Sequence, residues 1–243
     1  MKLKTRLDQF VQKMAPTLSR RQIQDAIAQG AVRVNGVVVT RPGVQIADDA
    51  QVTYEMKAPE FVGRAGFKLQ KALDHFGIDV AGLVVLDAGL STGGFADCLL
   101  QRGVKKVYGV DVGHGQVHEK IRNDARLVVM EHTNVRTLKT VGELVDMITL
   151  DLSFISVLKV MTAVTQLLKP NGELIVLIKP QFETDPARIG KGGVIKDATL
   201  HDAILKTVTE GIAAHGFALQ GVIESPLLGG DGNKEFLAYF LRT

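Results

Sequence analysis

The feature that most constrains this chain is a glycine-rich turn that separates an apolar run from a helical pattern. The run at residues 83–87 is of strand type and ends on Asp87, and the helical pattern begins at Gly94. A second apolar run ends on Asp111, 24 residues after the first acid. Glycines in such a turn let the backbone approach a ligand, and an acid ending the second strand accepts hydrogen bonds from ribose hydroxyls. The spacing therefore predicts a Rossmann-like unit that binds a nucleoside.

The details of the turn discriminate between nucleoside cofactors. A dinucleotide fingerprint needs a central glycine, but Ser91 stands there between Gly89 and Gly94, and the Gly-Lys-Ser/Thr of a P-loop is absent. An acid just before the turn fits poorly against a pyrophosphate and well against the cationic groups of S-adenosylmethionine. We therefore expect S-adenosylmethionine as cofactor. Asn134, which follows the third strand, is expected to border the adenine, and a structural role in a turn is the alternative. The expected cofactor-binding residues are Asp87, Gly89, Ser91, Thr92, Gly93, Gly94, Phe95, Asp111, Asn134 and Asp151.

Composition limits the class of protein without naming a function. Apolar residues make up 46% of the chain and charged residues 23%, an ordinary balance for a globular protein. The single cysteine, Cys98, excludes an intramolecular disulfide, and we expect it to pack in the core. No apolar run approaches the ~20 residues that cross a bilayer, and the sequence does not begin with a signal peptide. These features predict a cytoplasmic protein with no membrane segment, and the histidines show no spacing typical of a metal site.

Basic residues are concentrated near the N-terminus. Residues 1–60 contain nine Lys/Arg and six Asp/Glu, whereas residues 61–243 contain 20 of each. A basic module ahead of a neutral one favours an appended domain that binds a polyanion. The alternative is a solvated helix surface without a binding role.

Local patterns predict a small α+β module in this basic region. Apolar residues from Leu3 to Met14 recur at helical spacing, and a capping box at residues 19–22 opens a second helix. Asn35-Gly36 between valines predicts a type I′ hairpin. Arg20 and Arg21 lie in the first turn of the second helix, where the helix dipole gives no reason for cations. Phosphate groups docking at this turn would explain that placement.

Residues 4–50 resemble the S4-type RNA-binding domain. The resemblance depends on Ser-Arg at 19–20, the Gly-x-Val-x-Val-Asn-Gly pattern and the following Arg-Pro. It implies that basic residues at the second helix and around the hairpin contact the RNA backbone, which gives salt-dependent affinity with little base readout. The matching residues are Arg20, Arg21, Arg33 and Arg41. We expect an RNA-binding domain over 1–60 and a second domain over 61–243.

The second domain alternates strand and helix patterns, which predicts an α/β fold. A helix is predicted from residue 63 to about residue 75. Strands are predicted near 83–87, 106–111, 127–130, 145–151, 173–179, 218–224 and 235–241.

The tip of the fourth of these strands discriminates between methyl acceptors. Its sequence, Asp151-Leu-Ser-Phe154, lacks the two prolines typical of enzymes that methylate exocyclic amines, and Cys98 lies too early to be a cytosine-attacking nucleophile. A hydroxyl acceptor needs a group that receives or guides a proton. Lys179 ends the next strand at the edge where open α/β sheets bind ligands, and Asp151 is its natural partner. A structural ion pair is the alternative interpretation.

The larger domain resembles FtsJ-like ribose 2′-O-methyltransferases, and the whole chain resembles the TlyA family, which is often labelled hemolysin. The motifs that carry the resemblance are RAGFKL at 64–69, DAGLSTGGFADCLL at 87–100, VDVGHGQ at 110–116, DLSFIS at 151–156, IKPQFE at 178–183, GKGGV at 190–194 and GNKEF at 232–236. It implies a Rossmann-like class I methyltransferase with a seven-stranded, mostly parallel sheet. It also implies the catalytic set Lys68, Asp151, Lys179 and Glu235, in which the two acids would orient Lys179.

The leading functional hypothesis is therefore methylation of ribose 2′-hydroxyls in ribosomal RNA, with ribosomal RNA or ribosomal subunits as partner. Two alternatives come from other classes: a non-catalytic RNA- or ribosome-binding factor that retains the fold, and the cytolysin that the family label implies.

Overall fold

The computed structural model describes residues 4–16, 18–55, 60–190 and 192–243. The chain divides into two compact units, Met1–Glu60 and Phe61–Thr243. Within the described residues, no helix has both the length and the apolar character that crossing a membrane requires.

The described residues of the first unit form two helices and five short strands. In chain order they are β1 (Lys4–Arg6), α1 (Leu7–Met14), α2 (Arg20–Ala28), β2 (Val32–Val34), β3 (Val37–Val38), β4 (Gln45–Ala47) and β5 (Val52–Tyr54). β1 pairs with β4, and β2 lies between β3 and β5, all antiparallel. The first helix begins later than its apolar spacing predicts, because residues 4–6 pair with β4; Leu3 lies outside the described residues.

Two local predictions in this unit are confirmed. The Ser19 side chain accepts a hydrogen bond from the backbone N–H of Gln22, whose own side chain returns to Ser19 as a capping box. Asn35 and Gly36 adopt φ values of 50° and 80°, the left-handed pair that a type I′ turn requires. The helices bury Leu7 and Ile23 against the strands.

The second unit is built on one seven-stranded sheet. Its strands are β6 (Val84–Ala88), β7 (Lys106–Val110), β8 (Leu127–Met130), β9 (Val145–Leu150), β10 (Leu168–Ile178), β11 (Phe217–Glu224) and β12 (Phe236–Arg242). The order across the sheet is β11-β12-β10-β9-β6-β7-β8, and only β12 runs antiparallel to its neighbours. The predicted seven-stranded, mostly parallel sheet is confirmed.

Helices cover both faces of this sheet, which explains why its central strands are predominantly apolar. The helices are α3 (Ala65–Phe76), α4 (Gly94–Gln101), α5 (Glu119–Arg122), α6 (Met161–Leu167) and α7 (Ala198–Ala213). Leu86 faces the core under α6 and α7, whereas its neighbour Val85 faces the core under α3 and α4. Cys98 is fully buried in α4, and burial raises the pKa of its thiol to about 12, so the thiol is a core group as predicted.

The strand order brings the chemically important residues to one edge. β6, β9 and β10 lie side by side and parallel, so Asp87, Asp151 and Lys179 meet at their carboxyl ends. β12 runs the other way, and Phe236 pairs with Ile178. Glu235, just before β12, therefore reaches the same edge from the opposite direction.

Candidate active site

A cavity of about 450 Å³ opens at the carboxyl edge of the sheet. Its walls come from the glycine turn after β6 and from the segments that follow β7, β8 and β9. The lining residues are Gly89, Ser91, Val110, Asp111, Val112, Gln116, Thr133, Asn134, Val135, Asp151, Leu152, Ser153, Phe154, Ile155 and Val160. Five of the ten residues predicted to bind the cofactor thus line this cavity: Gly89, Ser91, Asp111, Asn134 and Asp151.

Gly89 keeps the turn close to the tip of β9. Its φ is +95°, and a Cβ at this position would overlap the carbonyl oxygen of Asp151. A side chain is therefore excluded here by conformation and by space. The bare backbone of the turn forms part of the cavity wall, as close approach to a ligand requires.

The Asp111 carboxylate is held in place by two backbone N–H groups. Ser91 donates to Oδ2 and Gly113 donates to Oδ1, both at 2.7 Å. Ser91 reaches this position with a φ of +47°, which is uncommon for a residue with a side chain. Each carboxylate oxygen retains a lone pair, so Asp111 can accept the two hydroxyls of a ribose in the cavity.

Asp87 lies fully buried behind the glycine turn and does not line the cavity. Its Oδ1 accepts a hydrogen bond from the Thr149 hydroxyl at 2.8 Å, and Oδ2 has no hydrogen-bond partner. Burial raises the pKa of Asp87 to about 7; the Thr149 hydrogen bond opposes this rise, and the charge of Asp151 adds to it. Asp151, whose charge acts on Asp87, does line the cavity, so the negative potential of the two acids suits a cationic group there, such as the ammonium of S-adenosylmethionine.

The other predicted cofactor residues have local roles. Gly93 caps α4 with a φ of +93°, and Gly94 begins that helix. Phe95 packs in the core rather than against the cavity, because it lies on the buried face of α4. Thr92 is exposed beside the turn. Asn134 lines the cavity, as a cofactor-binding residue would, and its side chain also caps the turn at Val135–Thr137, as a turn residue would.

Two lysine–carboxylate pairs stand at the sheet edge. Lys179 Nζ lies 2.6 Å from Asp151 Oδ1 and donates a hydrogen bond to Ser153 Oγ at 2.9 Å. Lys68 Nζ lies 2.5 Å from Glu235 Oε2. At least 85% of each of these four charged side chains is shielded from solvent, since the largest exposed fraction is 15%. Pairing is what makes burial of such charges tolerable.

The predicted partner of Glu235 is wrong. The sequence interpretation has Glu235 orient Lys179, whereas its carboxylate hydrogen bonds to Lys68. The reason is packing: α3 lies against β12, so Lys68 on that helix meets the residue that precedes the strand.

Sequence reasoning missed several residues of the site, above all Phe154. Its side chain is 90% exposed at the cavity, its φ is +65°, and its ring centroid lies 5.1 Å from that of Phe182. An exposed aromatic ring beside a cofactor cavity can stack on a nucleobase. Its position in the sequence was an available signal. Phe154 ends the segment Asp151–Phe154, and the corresponding motif of enzymes that methylate exocyclic amines also ends on an aromatic residue.

The four arginines predicted to bind RNA are all exposed on the first unit: Arg20, Arg21, Arg33 and Arg41. Arg20 has an acidic neighbour that the sequence argument overlooked, because its Nη2 lies 3.5 Å from Asp8 on α1. Asp8 also binds Arg6 through two hydrogen bonds, at 3.0 and 2.9 Å. Arg6, which the sequence reasoning did not select, is therefore paired with Asp8.

The sheet order, the glycine turn and the acids at the ends of β6 and β7 define a class I methyltransferase. The profile of FtsJ-like methyltransferases matches residues 61–242, and that of the S4 domain matches residues 5–52. The chain belongs to the FtsJ-like methyltransferase family and carries an S4 domain before the catalytic domain.

Known relatives match this chain over both domains. "Hemolysin A" of Brachyspira hyodysenteriae is 42% identical over 241 residues, which cover 97% of this chain and 99% of that protein. The "16S/23S rRNA (cytidine-2'-O)-methyltransferase TlyA" of Mycobacterium tuberculosis H37Rv is 37% identical over 246 residues, covering 100% and 91%. The solved structure of a hemolysin-labelled protein from Streptococcus thermophilus has a TM-score of 0.77 and 35% identity, covering 100% and 90%. The predicted TlyA-type resemblance is confirmed; the protein is a methyltransferase, and S-adenosylmethionine is its cofactor.

Proposed function

We propose that this protein methylates ribose 2′-hydroxyls of ribosomal RNA and that its S4 domain binds the RNA backbone. The observation that carries the proposal is the pair of buried lysine–carboxylate contacts, Lys179 with Asp151 and Lys68 with Glu235, at the carboxyl edge of the sheet, where Asp151 also lines the cavity. Neither an amine-binding proline motif nor a cysteine nucleophile accompanies them.

The cofactor is held by residues of the first three parallel strand ends. Asp111 would accept the ribose hydroxyls, Gly89 would allow the backbone to approach, and Asn134 would be available to the adenine. Asp87, buried behind the turn, would add negative potential that favours a cationic group. When bound, S-adenosylmethionine supplies an electrophilic methyl group on its sulfonium.

Lys179 handles the proton of the acceptor hydroxyl. A 2′-hydroxyl must lose its proton as its oxygen gains the methyl group, and a nearby amine can take up that proton or, as an ammonium, direct the oxygen lone pair and stabilise the developing alkoxide. Asp151 and Ser153 hold Lys179 Nζ in place for either role. Glu235 acts through Lys68, the second cation of the site.

The substrate class comes from the S4 domain and the relatives. Arg20, Arg21, Arg33 and Arg41 are exposed cations suited to phosphate contacts, which position an RNA without reading its sequence. The mycobacterial relative is named as a methyltransferase of cytidine 2′-hydroxyls in 16S and 23S rRNA. For this chain we propose the same acceptor, cytidines of ribosomal RNA, and a cytoplasmic site of action.

The test is Lys179→Met in a single-turnover methyl-transfer assay with ribosomal subunits. We expect at least a hundredfold slower transfer, because proton handling by a positioned group contributes ~10²–10⁴-fold. The affinity for S-adenosylmethionine, measured by calorimetry, should stay within a few-fold. Near-normal transfer would contradict the assignment, and a parallel loss of cofactor affinity would indicate a structural ion pair.

The same two strands offer a matched control. Lys169 on β10 pairs with Asp146 on β9 at 2.7 Å, away from the carboxyl edge of the sheet. Lys169→Met removes the same type of contact outside the cavity and should leave transfer unchanged. The acceptor is tested separately by mapping methylated nucleotides by mass spectrometry, where a methyl group on a base would contradict the 2′-hydroxyl proposal.

A further inference from the structure

Glu183 links two segments of the active site without lining the cavity. After β10 the chain makes a single turn at Pro180–Phe182, and Glu183 follows it. Glu183 Oε1 accepts a hydrogen bond from the backbone N–H of Val157 at 2.9 Å, and its carboxylate also hydrogen bonds to the Ser156 side chain. These contacts place a half-buried carboxylate at the far end of the loop that follows β9.

The loop at residues 151–156, which we call the β9 loop, forms one wall of the cofactor cavity. It carries the Ser153 hydroxyl that Lys179 contacts, and it carries Phe154 in a left-handed conformation. Such a conformation costs roughly 1–3 kcal/mol and persists only where surrounding contacts enforce it. The β9 loop therefore needs attachments at both ends.

Besides the hydrogen bond from the Asp151 N–H to the Ala88 carbonyl oxygen, three attachments of the β9 loop come from the segment 179–183. Lys179 holds the start of the loop through Asp151 and Ser153, and Phe182 contacts the ring of Phe154. Glu183 is the attachment at the far end. Burial raises the pKa of Glu183, which indicates that the fold accepts some cost in order to keep a carboxyl group there.

We propose that Glu183 is a positioning residue: by binding the Val157 N–H it fixes the β9 loop, so that Ser153 meets Lys179 and the cavity wall keeps its shape. Its catalytic consequence rests on the proposed function, whereas its effect on the cavity does not. The required property is a hydrogen-bond acceptor at the correct reach. Charge at this position is not required.

Two substitutions separate reach from charge. Glu183→Gln keeps the length and the acceptor oxygen but removes the charge, whereas Glu183→Asp keeps the charge and shortens the side chain by one methylene. We expect Glu183→Asp and Glu183→Ala to slow single-turnover transfer by about tenfold or more, since small misplacements of reacting groups have effects of this size. Glu183→Gln should restore transfer to within about threefold of wild type. Asp185→Ala is the control, because the Asp185 side chain caps only its own turn through Ala187.

A double-mutant cycle tests the route through Ser153. If Glu183 acts by placing the Ser153 hydroxyl, then Ser153→Ala combined with Glu183→Asp should be little slower than the slower single variant. Fully additive effects would overturn the proposal. So would a Glu183→Asp enzyme at the wild-type rate, or a Glu183→Gln enzyme as slow as the aspartate variant.

Two further readouts do not depend on methyl transfer. S-adenosylhomocysteine should bind Glu183→Asp several-fold more weakly than wild type in calorimetry, because the β9 loop lines the cavity. The Val157 amide should exchange its hydrogen faster in Glu183→Asp and at the wild-type rate in Glu183→Gln. If wild type transfers no methyl group to ribosomal RNA, the proposed function fails while these measurements still decide the role of Glu183; unchanged binding and exchange would overturn it.

Discussion

Two aspartates, one in each unit, are equally buried and have opposite environments. Asp8 and Asp87 both have no exposed surface. Asp8 accepts hydrogen bonds from Arg6 and Gln24, and the Arg6 guanidinium holds its pKa well below the usual range. Asp87 has the Thr149 hydroxyl on one oxygen and no hydrogen-bond partner on the other, and burial raises its pKa to about 7.

The difference separates a structural acid from a binding acid. Both carboxylate oxygens of Asp8 accept hydrogen bonds from other residues of the first unit, so Asp8 stabilises this unit and orients the arginines around it. Asp87 has an unfilled position in the protein alone, which costs stability, and its charge would be stabilised by a cationic ligand in the cavity that Asp151 lines. Burial of a charged residue therefore does not by itself indicate function; an unfilled position on an acid next to a ligand cavity is the more informative observation.

The largest expected effect comes from removing the charge of Asp87. Asp87→Asn should weaken S-adenosylmethionine binding by roughly tenfold to a hundredfold, because a charge-assisted interaction contributes ~1.5–3 kcal/mol. Calorimetry measures the affinity, and thermal unfolding should show that the variant without ligand remains as stable as wild type. Asp8→Asn is the matched control: it should lower the unfolding temperature and leave cofactor affinity unchanged. Equal cofactor affinities in wild type and Asp87→Asn would show that Asp87 does not contribute to cofactor binding.

The two acids should also respond to pH with opposite signs. The folded state raises the pKa of Asp87 from 3.8 to about 7, so the protein without ligand should lose stability as pH rises from about 4 to about 7. Asp8 has a lowered pKa, so its stabilisation is present above about pH 4 and is lost as pH falls further. Thermal unfolding across this range measures both, and each asparagine variant should remove one of the two slopes.

Cofactor affinity should follow the ionisation of Asp87. A cationic ligand favours the carboxylate, so S-adenosylmethionine should bind more tightly as pH rises through about 7. Calorimetry in buffers of different ionisation enthalpy measures the proton released on binding. Binding that is independent of pH in wild type would show that the cofactor does not complete Asp87.

The smallest expected effect concerns the exposed arginines of the S4 domain. Replacing Arg20 and Arg21 with glutamine should weaken RNA binding several-fold for every sequence and reduce the slope of log affinity against log salt by ~0.9 or less per residue. Arg21→Gln alone is the cleaner variant, because Arg20 also lies 3.5 Å from Asp8. Filter binding at several salt concentrations measures the slope. A slope equal to that of wild type would mean that these arginines only solvate the helix.

Sequence patterns predicted the features that depend on neighbouring residues. The capping box at Ser19, the hairpin at Asn35-Gly36 and the glycine turn before α4 are local. The alternation of strands and helices predicted the α/β class, whereas the seven-stranded sheet was implied by the family resemblance. Partners distant in the chain could not be predicted in this way. The contact between Lys68 and Glu235 joins residues 167 positions apart and depends on the packing of α3 against β12.

The same limit explains the other omissions. Asp8 meets Arg20 only because α1 packs on α2, and Phe154 enters the site only because the β9 loop adopts a left-handed conformation. Spacing does not encode these contacts, since each requires the tertiary fold.

The position of β12 in the sheet has a consequence for synthesis on the ribosome. This strand inserts between β10 and β11, which precede it in the chain, and the residue before it completes the Lys68 pair. Domains fold largely as units in the order in which they emerge. The first unit can therefore fold while the second is still being synthesised, whereas the central sheet and the Lys68–Glu235 pair are complete only once β12 has emerged.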